Sequence, residues 1–254
     1  MAQAGSAGGA FPASECGSGC AHFLGHTSTV DGAIATVPHP EPTPIHRFIH
    51  IDNLQVLLRR ASPHAPRHAP NDGQVYKTIH NLDIQDQRRR TPIPCGPGGV
   101  IHDYVPFYFW PRSPMLLQLH TGRVEGYNET QTPLIYLIST AQAVSDSGAG
   151  FVFSDGHGIA SFTSWYDDSA QLDGVDWSAV NSRYWTDTVD APDRQRRKQA
   201  EFLVHRACPW ALIQEIAIVN DNMKRRVKQI LAEFPAELRR PVRIRPALYY
   251  EGVP

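Results

Sequence analysis

The sequence predicts an α+β fold built on a largely antiparallel or mixed sheet. Three observations carry that reading. Short apolar runs such as 134–138 and 202–204 have the length and β-branched character of buried strands. Helical patterns lie among them without strict strand–helix–strand alternation. The chain has no Gly-x-Gly-x-x-Gly, no Walker loop and no internal repeat, which argues against a Rossmann or P-loop site.

A length of 254 residues suits one domain with an appendage, and 41% hydrophobic residues supply a sizeable core. The formal net charge of −1 gives no global field to attract a polyanion. Cations are nonetheless clustered, at Arg88-Arg89-Arg90, at 194–198, at Arg225-Arg226 and at Arg239-Arg240. Such clusters can bind a polyanion locally, although most are solvated faces. Four cysteines, no secretory signal and no run of about 18 apolar residues point to a reduced, cytoplasmic chain without a membrane span.

Residues 1–40 are rich in Gly, Ala, Ser and Thr and contain no Lys or Arg, so they read as a disordered or loosely attached tail before one domain at 41–254. Cys16, Cys20, His22 and His26 could in principle ligate zinc, but C-x3-C-x-H-x3-H leaves no room for a supporting fold. No metal is expected there; a translation start assigned too far upstream accounts for the tail better, since patterned sequence begins only after Pro38. Residues 40–44 are a stiff Pro-rich lead-in. Residues 45–51 alternate as a half-buried strand does, and Asp52 is placed to cap a helix at 53–60. His50 and Asn53 thus flank a strand-to-helix turn, where ligand contacts are common. Residues 61–74 form a His/Pro-rich loop, and 75–84 lead to the Arg88 cluster. The Pro/Gly-rich stretch 91–99 cannot be helical.

Residues 104–110 form an aromatic strand, closed by a turn that caps a helix through His120. Tyr108 and its neighbours, beside Arg112, could stack a base or equally be core. Residues 134–138 read as a central strand, 140–147 as a short helix, 151–153 as a strand and 159–166 as helix or turn. A helix at 175–185 would anchor Trp177 and Trp185, and 187–193 is a polar loop. Arg194, Arg196, Arg197 and Lys198 follow in the loop before Glu201, which opens the apolar strand. Those cations could hold an anion for the carboxylate to act on, or all five residues could be a surface ion-pair cluster. A strand at 215–219, a helix at 222–233 capped by Asp221 and a final strand at 242–246 complete the chain.

Six runs resemble the DarT family of bacterial toxins: P-E-P-T-P-I (40–45), H-I-D-N-L (50–54), V-P-F-Y-F-W-P-R-S-P-M-L (105–116), F-V-F-S-D-G-H-G (151–158), D-W-S-A-V-N-S-R-Y-W (176–185) and P-D-R-Q-R-R-K-Q-A-E-F-L-V-H-R (192–206). The resemblance spans about 40–250. It implies a compact ADP-ribosyltransferase-like fold, a split mixed β-sheet around an NAD cleft. It also implies transfer of ADP-ribose from NAD+ to thymine in single-stranded DNA, and a DarG-like macrodomain antitoxin as partner to a monomeric toxin. Glu201 matches the family's catalytic glutamate, Arg88 its essential arginine, and His157 a histidine near the centre. Met115 and Arg112 match positions lining the site. Nicotinamide contacts are expected from the first strand and its turn, at Arg47, Ile49, His50 and Asn53; the family often has His-x-Thr where this chain has Arg47 and Ile49. DNA contacts are expected from Tyr108, Arg112, Arg194, Arg196, Arg197 and Lys198. The alternatives are the same fold modifying guanine in DNA, RNA or protein, and a nucleic-acid-binding module without catalysis.

Overall fold

Strand β1 (Pro44–His50) lies deep in the sheet of a computed structural model that describes residues 37–251. The Cys/His cluster at 16–26 lies outside the described residues. Five of the seven residues of β1 are buried, so it is covered on both faces and not half-buried as its alternation suggests. It runs straight into a 3-10 turn (Ile51–Asn53) and then helix α1 (Leu54–Arg60). Asp52 therefore sits inside the turn and does not cap α1; His50 Nδ1 accepts from the Asp52 N–H and caps the turn instead.

Helix α2 (Leu82–Arg90) is capped by the Asn81 side chain, which accepts from Asp83 and Ile84 N–H. Strand β2 (Tyr104–Tyr108) leads to α3 (Pro114–His120), where Ser113 is N-cap and Pro114 takes the first position. Then come β3 (Leu134–Thr140), α4 (Ala141–Asp146), β4 (Phe151–Ser154), β5 (Trp165–Tyr166) and α5 (Trp177–Asn181). The chain closes with α6 (Arg194–Arg197), β6 (Glu201–His205), β7 (Glu215–Ile218), α7 (Asp221–Ala232) and β8 (Val242–Ile244).

Several elements differ from expectation for identifiable reasons. The predicted helix at 175–185 shrinks to five residues because the Lys198 ammonium takes the carbonyl of Val180, which a longer helix would need. Trp177 is buried as expected and donates to Leu172 O, whereas Trp185 is half-buried. Residues 159–166 form turns and then β5 on the sheet edge. Asn220, not Asp221, caps α7 through the Met223 N–H. The cationic stretch before Glu201 is a single helical turn, α6, not a loop.

The strands form one sheet in the order β5-β4-β6-β2-β1-β3-β7-β8. Every pairing is antiparallel except β7 with β8. β1 pairs with β3 over all seven residues, and β2 with β6 over all five. β1 and β2 meet only at His46 and Tyr108, so the sheet splits between them. One face is covered by a continuous core including Ile45, Ile49, Phe107, Phe202 and Trp210. On the other face the apolar packing is divided, with Phe48, Leu116 and Tyr136 in one cluster and Ile101, Tyr104 and Leu203 in another. The split and the gap between those clusters position the site.

Candidate active site

A cavity of about 570 Å3 opens at the split, within the range of about 300–1,000 Å3 usual for small-molecule pockets. Phe48 and Val124 line it from one apolar cluster, Ile101 and Tyr104 from the other. Arg47, Arg60, Lys77 and Arg88 also line it, and no Asp or Glu does. Arg60 and Lys77 have carboxylate partners off the lining, Asp72 and Glu129. Arg47 has none. Its Nη1 reaches across the split to Pro106 O at 2.9 Å, and its buried Nε has no partner. Burial lowers the Arg47 pKa, but from so high a starting point that the guanidinium stays charged. The cavity thus offers an uncompensated cation and an orphaned donor to an anionic ligand.

Arg88 lies in the last turn of α2 and is that helix's one buried residue. Its Nη1 and Nη2 donate to Glu201 Oε1 and Oε2 at 2.8 and 2.7 Å, a bidentate pair. Glu201 opens β6, in register with Tyr108 of β2. It is 1% exposed and lies behind Arg88, which itself faces the cavity. Burial acts to raise the Glu201 pKa, but the adjacent Arg88 outweighs it and the net shift is downward. Glu201 is therefore ionised at neutral pH. For Arg88 burial opposes the charge, Glu201 outweighs that, and the net shift is upward.

The turn after β4 brings in a third group. Gly158 N–H points at Glu201 Oε1 from 3.4 Å, and His157 lines the cavity. Burial lowers the His157 pKa, Glu201 opposes the shift and Arg88 adds to it, so the ring is neutral. A Cβ at Gly156 would lie 2.3 Å from Arg196 Nη1, so a larger residue there would displace the Arg196 guanidinium. His102, which also lines the cavity, is lowered to about 4 by burial and then by Arg88 and Arg89.

The structure brings Arg88, His157, Arg47, Ile49, Asn53, Tyr108 and Met115 together around one cavity, with Glu201 behind Arg88. It assigns other surroundings to the rest. His50 does not line the cavity, because its ring is tied to Glu129, Lys77 and the Asp52 N–H. The Asn53 amide is committed to the backbone of Lys77, at 2.9 and 2.7 Å, and so pins the cavity wall. Arg112 lines a separate recess.

Three of the four cations before Glu201, all expected to contact phosphates or the base, are already engaged within the protein. Arg196 is held by Asp155 and Asp193 and lies over Phe162. Arg197 is held by Asp193 and Asp176. Lys198 is buried, donates to Val180 O and Ser182 O, and sits 5.0 Å from the Trp110 ring centroid. Burial and then Arg112 lower its pKa to about 7. Arg194 alone makes none of these ion pairs. Sequence reasoning missed Arg60, Lys77, His80 and His102 as wall residues. Arg60 ends the amphipathic helix α1, and Lys77, His80 and His102 lie in short polar segments, so no local pattern aims any of them at the cavity.

The model of the family described as "ssDNA thymidine ADP-ribosyltransferase, DarT" matches residues 46–250. A DNA ADP-ribosyl transferase of Thermus sp. (strain 2.9) is 45% identical over 213 residues, covering 84% of this chain and 98% of that protein. The structure of Thermus sp. 2.9 DarT in complex with ADP-ribosylated ssDNA superposes with a TM-score of 0.79 at 42% identity, covering 85% of this chain and all of that one. The same protein in complex with NAD+ gives a TM-score of 0.74 at 42% identity, over 84% of this chain and all of that one.

Proposed function

The chain belongs to the DarT family, and from that membership we propose that it transfers ADP-ribose from NAD+ to a thymine base of single-stranded DNA. The observation that carries this reading is the ionised Glu201 held by Arg88 at a cavity whose lining has four cations and no carboxylate. NAD+ carries a pyrophosphate, which such a lining suits. Arg47, with its unpartnered Nε, and Arg88 are the groups that would meet it.

In the transfer, the bond between nicotinamide and ribose breaks and its electron pair leaves with nicotinamide. Positive charge develops on the ribose, and Glu201 stabilises it. The thymine ring nitrogen donates its electron pair to the ribose carbon and gives up its proton as the new bond forms. Glu201 takes that proton: Oε2, which accepts only from Arg88, keeps lone-pair capacity beyond that bond. Because Glu201 lies behind Arg88, reaching the ribose requires Arg88 to release at least one of its two hydrogen bonds. A guanidinium so released is placed to polarise a thymine carbonyl or bind phosphate. The neutral His157 can donate to the base and orient it.

The target base must leave the stack, so the substrate is single-stranded. An activity that marks DNA is toxic unless reversed, and a DarG-like macrodomain antitoxin is the partner we propose. Among the described residues no helix is long and apolar enough to cross a membrane. Both proposed substrates are found in the bacterial cytoplasm, where we place the enzyme. The test is incubation with NAD+ and a mixed-sequence single-stranded oligonucleotide. The expected result is a mass gain of one ADP-ribose, absent with Glu201→Ala. No gain under conditions where NAD+ binds would overturn the DNA acceptor.

A further inference from the structure

The outer wall of the cavity is a strap, residues 69–81, that has no regular secondary structure. From Gln74 to Asn81 every residue except Val75 lines the cavity, and Val75 is 86% exposed to solvent. The strap therefore stands between the cavity and water. Among the described residues, no backbone-to-backbone hydrogen bond involves residues 69–80. Side chains hold the strap instead. Arg60 donates to both oxygens of Asp72, and Arg59 Nη1 donates to Gln74 Oε1 at 2.9 Å. A segment held in this way can open without breaking a helix or a sheet ladder.

The hold on the strap is concentrated at Lys77. Asn53, in the turn after β1, binds its backbone N–H and C=O. Its ammonium pairs with Glu129, from the segment between α3 and β3, and lies 3.6 Å from Asp52 Oδ2. His50 fixes Glu129 in turn. Its Nδ1 accepts from the Asp52 N–H, so the ring proton is on Nε2, which donates to Glu129 Oε2 at 3.2 Å. Both oxygens of Glu129 are thus engaged. Lys77 lowers the Glu129 pKa, and the carboxylate is ionised at neutral pH. Glu129 does not line the cavity, so its charge acts on the strap and not on a bound ligand.

We propose that Glu129 is a positioning residue for NAD+: by holding Lys77 it keeps the strap closed as the outer wall of the site. The inference rests on NAD+ as the ligand of this cavity. The Lys77 and Glu129 side chains are 37% and 45% exposed, so water screens the pair and it is weak enough to open as the dinucleotide enters and leaves. His50, buried beneath the pair, returns Glu129 to the same place each time.

The test compares the full chain with Glu129→Ala. Calorimetry with NAD+ alone should show binding weakened by about 2- to 5-fold, the worth of one half-exposed ion pair. In the transfer reaction KM for NAD+ should rise by the same factor with kcat unchanged. At about 1 M salt the parent loses the pair to screening, and the two proteins should bind NAD+ alike. Trypsin cleavage after Lys77 in the free protein should be faster in the variant by a similar factor, while cleavage after Arg67 is not. Tighter NAD+ binding by Glu129→Ala would overturn the proposal, since Lys77 would then be a ligand-binding cation that Glu129 restrains. An unchanged affinity, a fall in kcat at constant KM, or unchanged cleavage after Lys77 would overturn it as well. Calorimetry and proteolysis need no DNA, so failure to transfer ADP-ribose to an oligonucleotide sinks the acceptor reading and leaves this test standing.

Discussion

Replacing Glu201 by Gln removes a charge at almost constant volume and leaves the Arg88 guanidinium buried beside a neutral amide. Arg88 is 7% exposed and Glu201 1%, and their two hydrogen bonds are 2.8 and 2.7 Å long. The Gln side chain can accept one of those bonds, but its NH2 faces the second guanidinium nitrogen donor to donor. Removing one partner of a buried pair costs about 3–5 kcal/mol, most of it the uncompensated charge left behind. At roughly 2–4 °C per kcal/mol for a chain of this size, Tm should fall by roughly 6–20 °C. Arg88→Met in the same background removes the stranded charge, so the double variant should be more stable than Glu201→Gln alone. The acid limb supplies a second readout. The folded-state pKa of Glu201 is depressed, so the unfolded chain binds more protons as pH falls below about 4.5, and stability rises with pH across that window. Glu201→Gln should lose that part of the slope. The assay is equilibrium denaturation of the four proteins of the cycle, at pH 7 and through the acid range. A Glu201→Gln within about 1 kcal/mol of the parent, or strictly additive single changes, would refute the reasoning.

Arg47→Ala should weaken NAD+ binding by roughly 10- to 100-fold in calorimetry, as loss of a hydrogen bond to a charged group predicts, without a matching loss of stability. Arg194→Ala should lower the slope of log affinity for single-stranded DNA against log salt by roughly 0.7, the contribution of one phosphate, measured by oligonucleotide titration from low to high salt. Arg196→Ala should instead reduce Tm, because Arg196 bridges Asp155 and Asp193. The Lys198 pKa of about 7 in the fold lies below its unfolded value of 10.5, so the unfolded chain binds the extra proton between those limits and stability rises with pH across them. Lys198→Met should flatten that rise in denaturation curves taken at pH 7 to 10.

Much of the fold is legible where a local pattern records a long-range demand. The runs at 134–137 and 202–204 are buried on both faces of the sheet, and they are continuous in sequence for that reason. Helix α7 shows its apolar positions at helical spacing, with Met223, Val227 and Leu231 buried. Helix α2 leaves no such trace: its Leu82 is 74% exposed and its buried residue is a cation. The split is equally silent, since nothing local to β1 or β2 states that they meet at one residue pair. Glu201 was conspicuous from its own neighbours, a lone carboxylate between cations and an apolar run. The destinies of Arg196, Arg197 and Lys198 were not, because Asp155, Asp176, Val180 and Ser182 lie 16 or more residues away. The resemblance singled out Glu201 and Arg88 as the pair proposed to carry catalysis, and the structure adds that they are hydrogen-bonded, with Arg88 covering Glu201.

The most direct test of the central claim is fragment-ion mass analysis of an oligonucleotide carrying a single thymine, treated with NAD+ and the parent protein or Glu201→Ala. The account predicts one ADP-ribose on the thymine base with the parent and none with the variant. Modification at another base, or equal modification by both proteins, would contradict it.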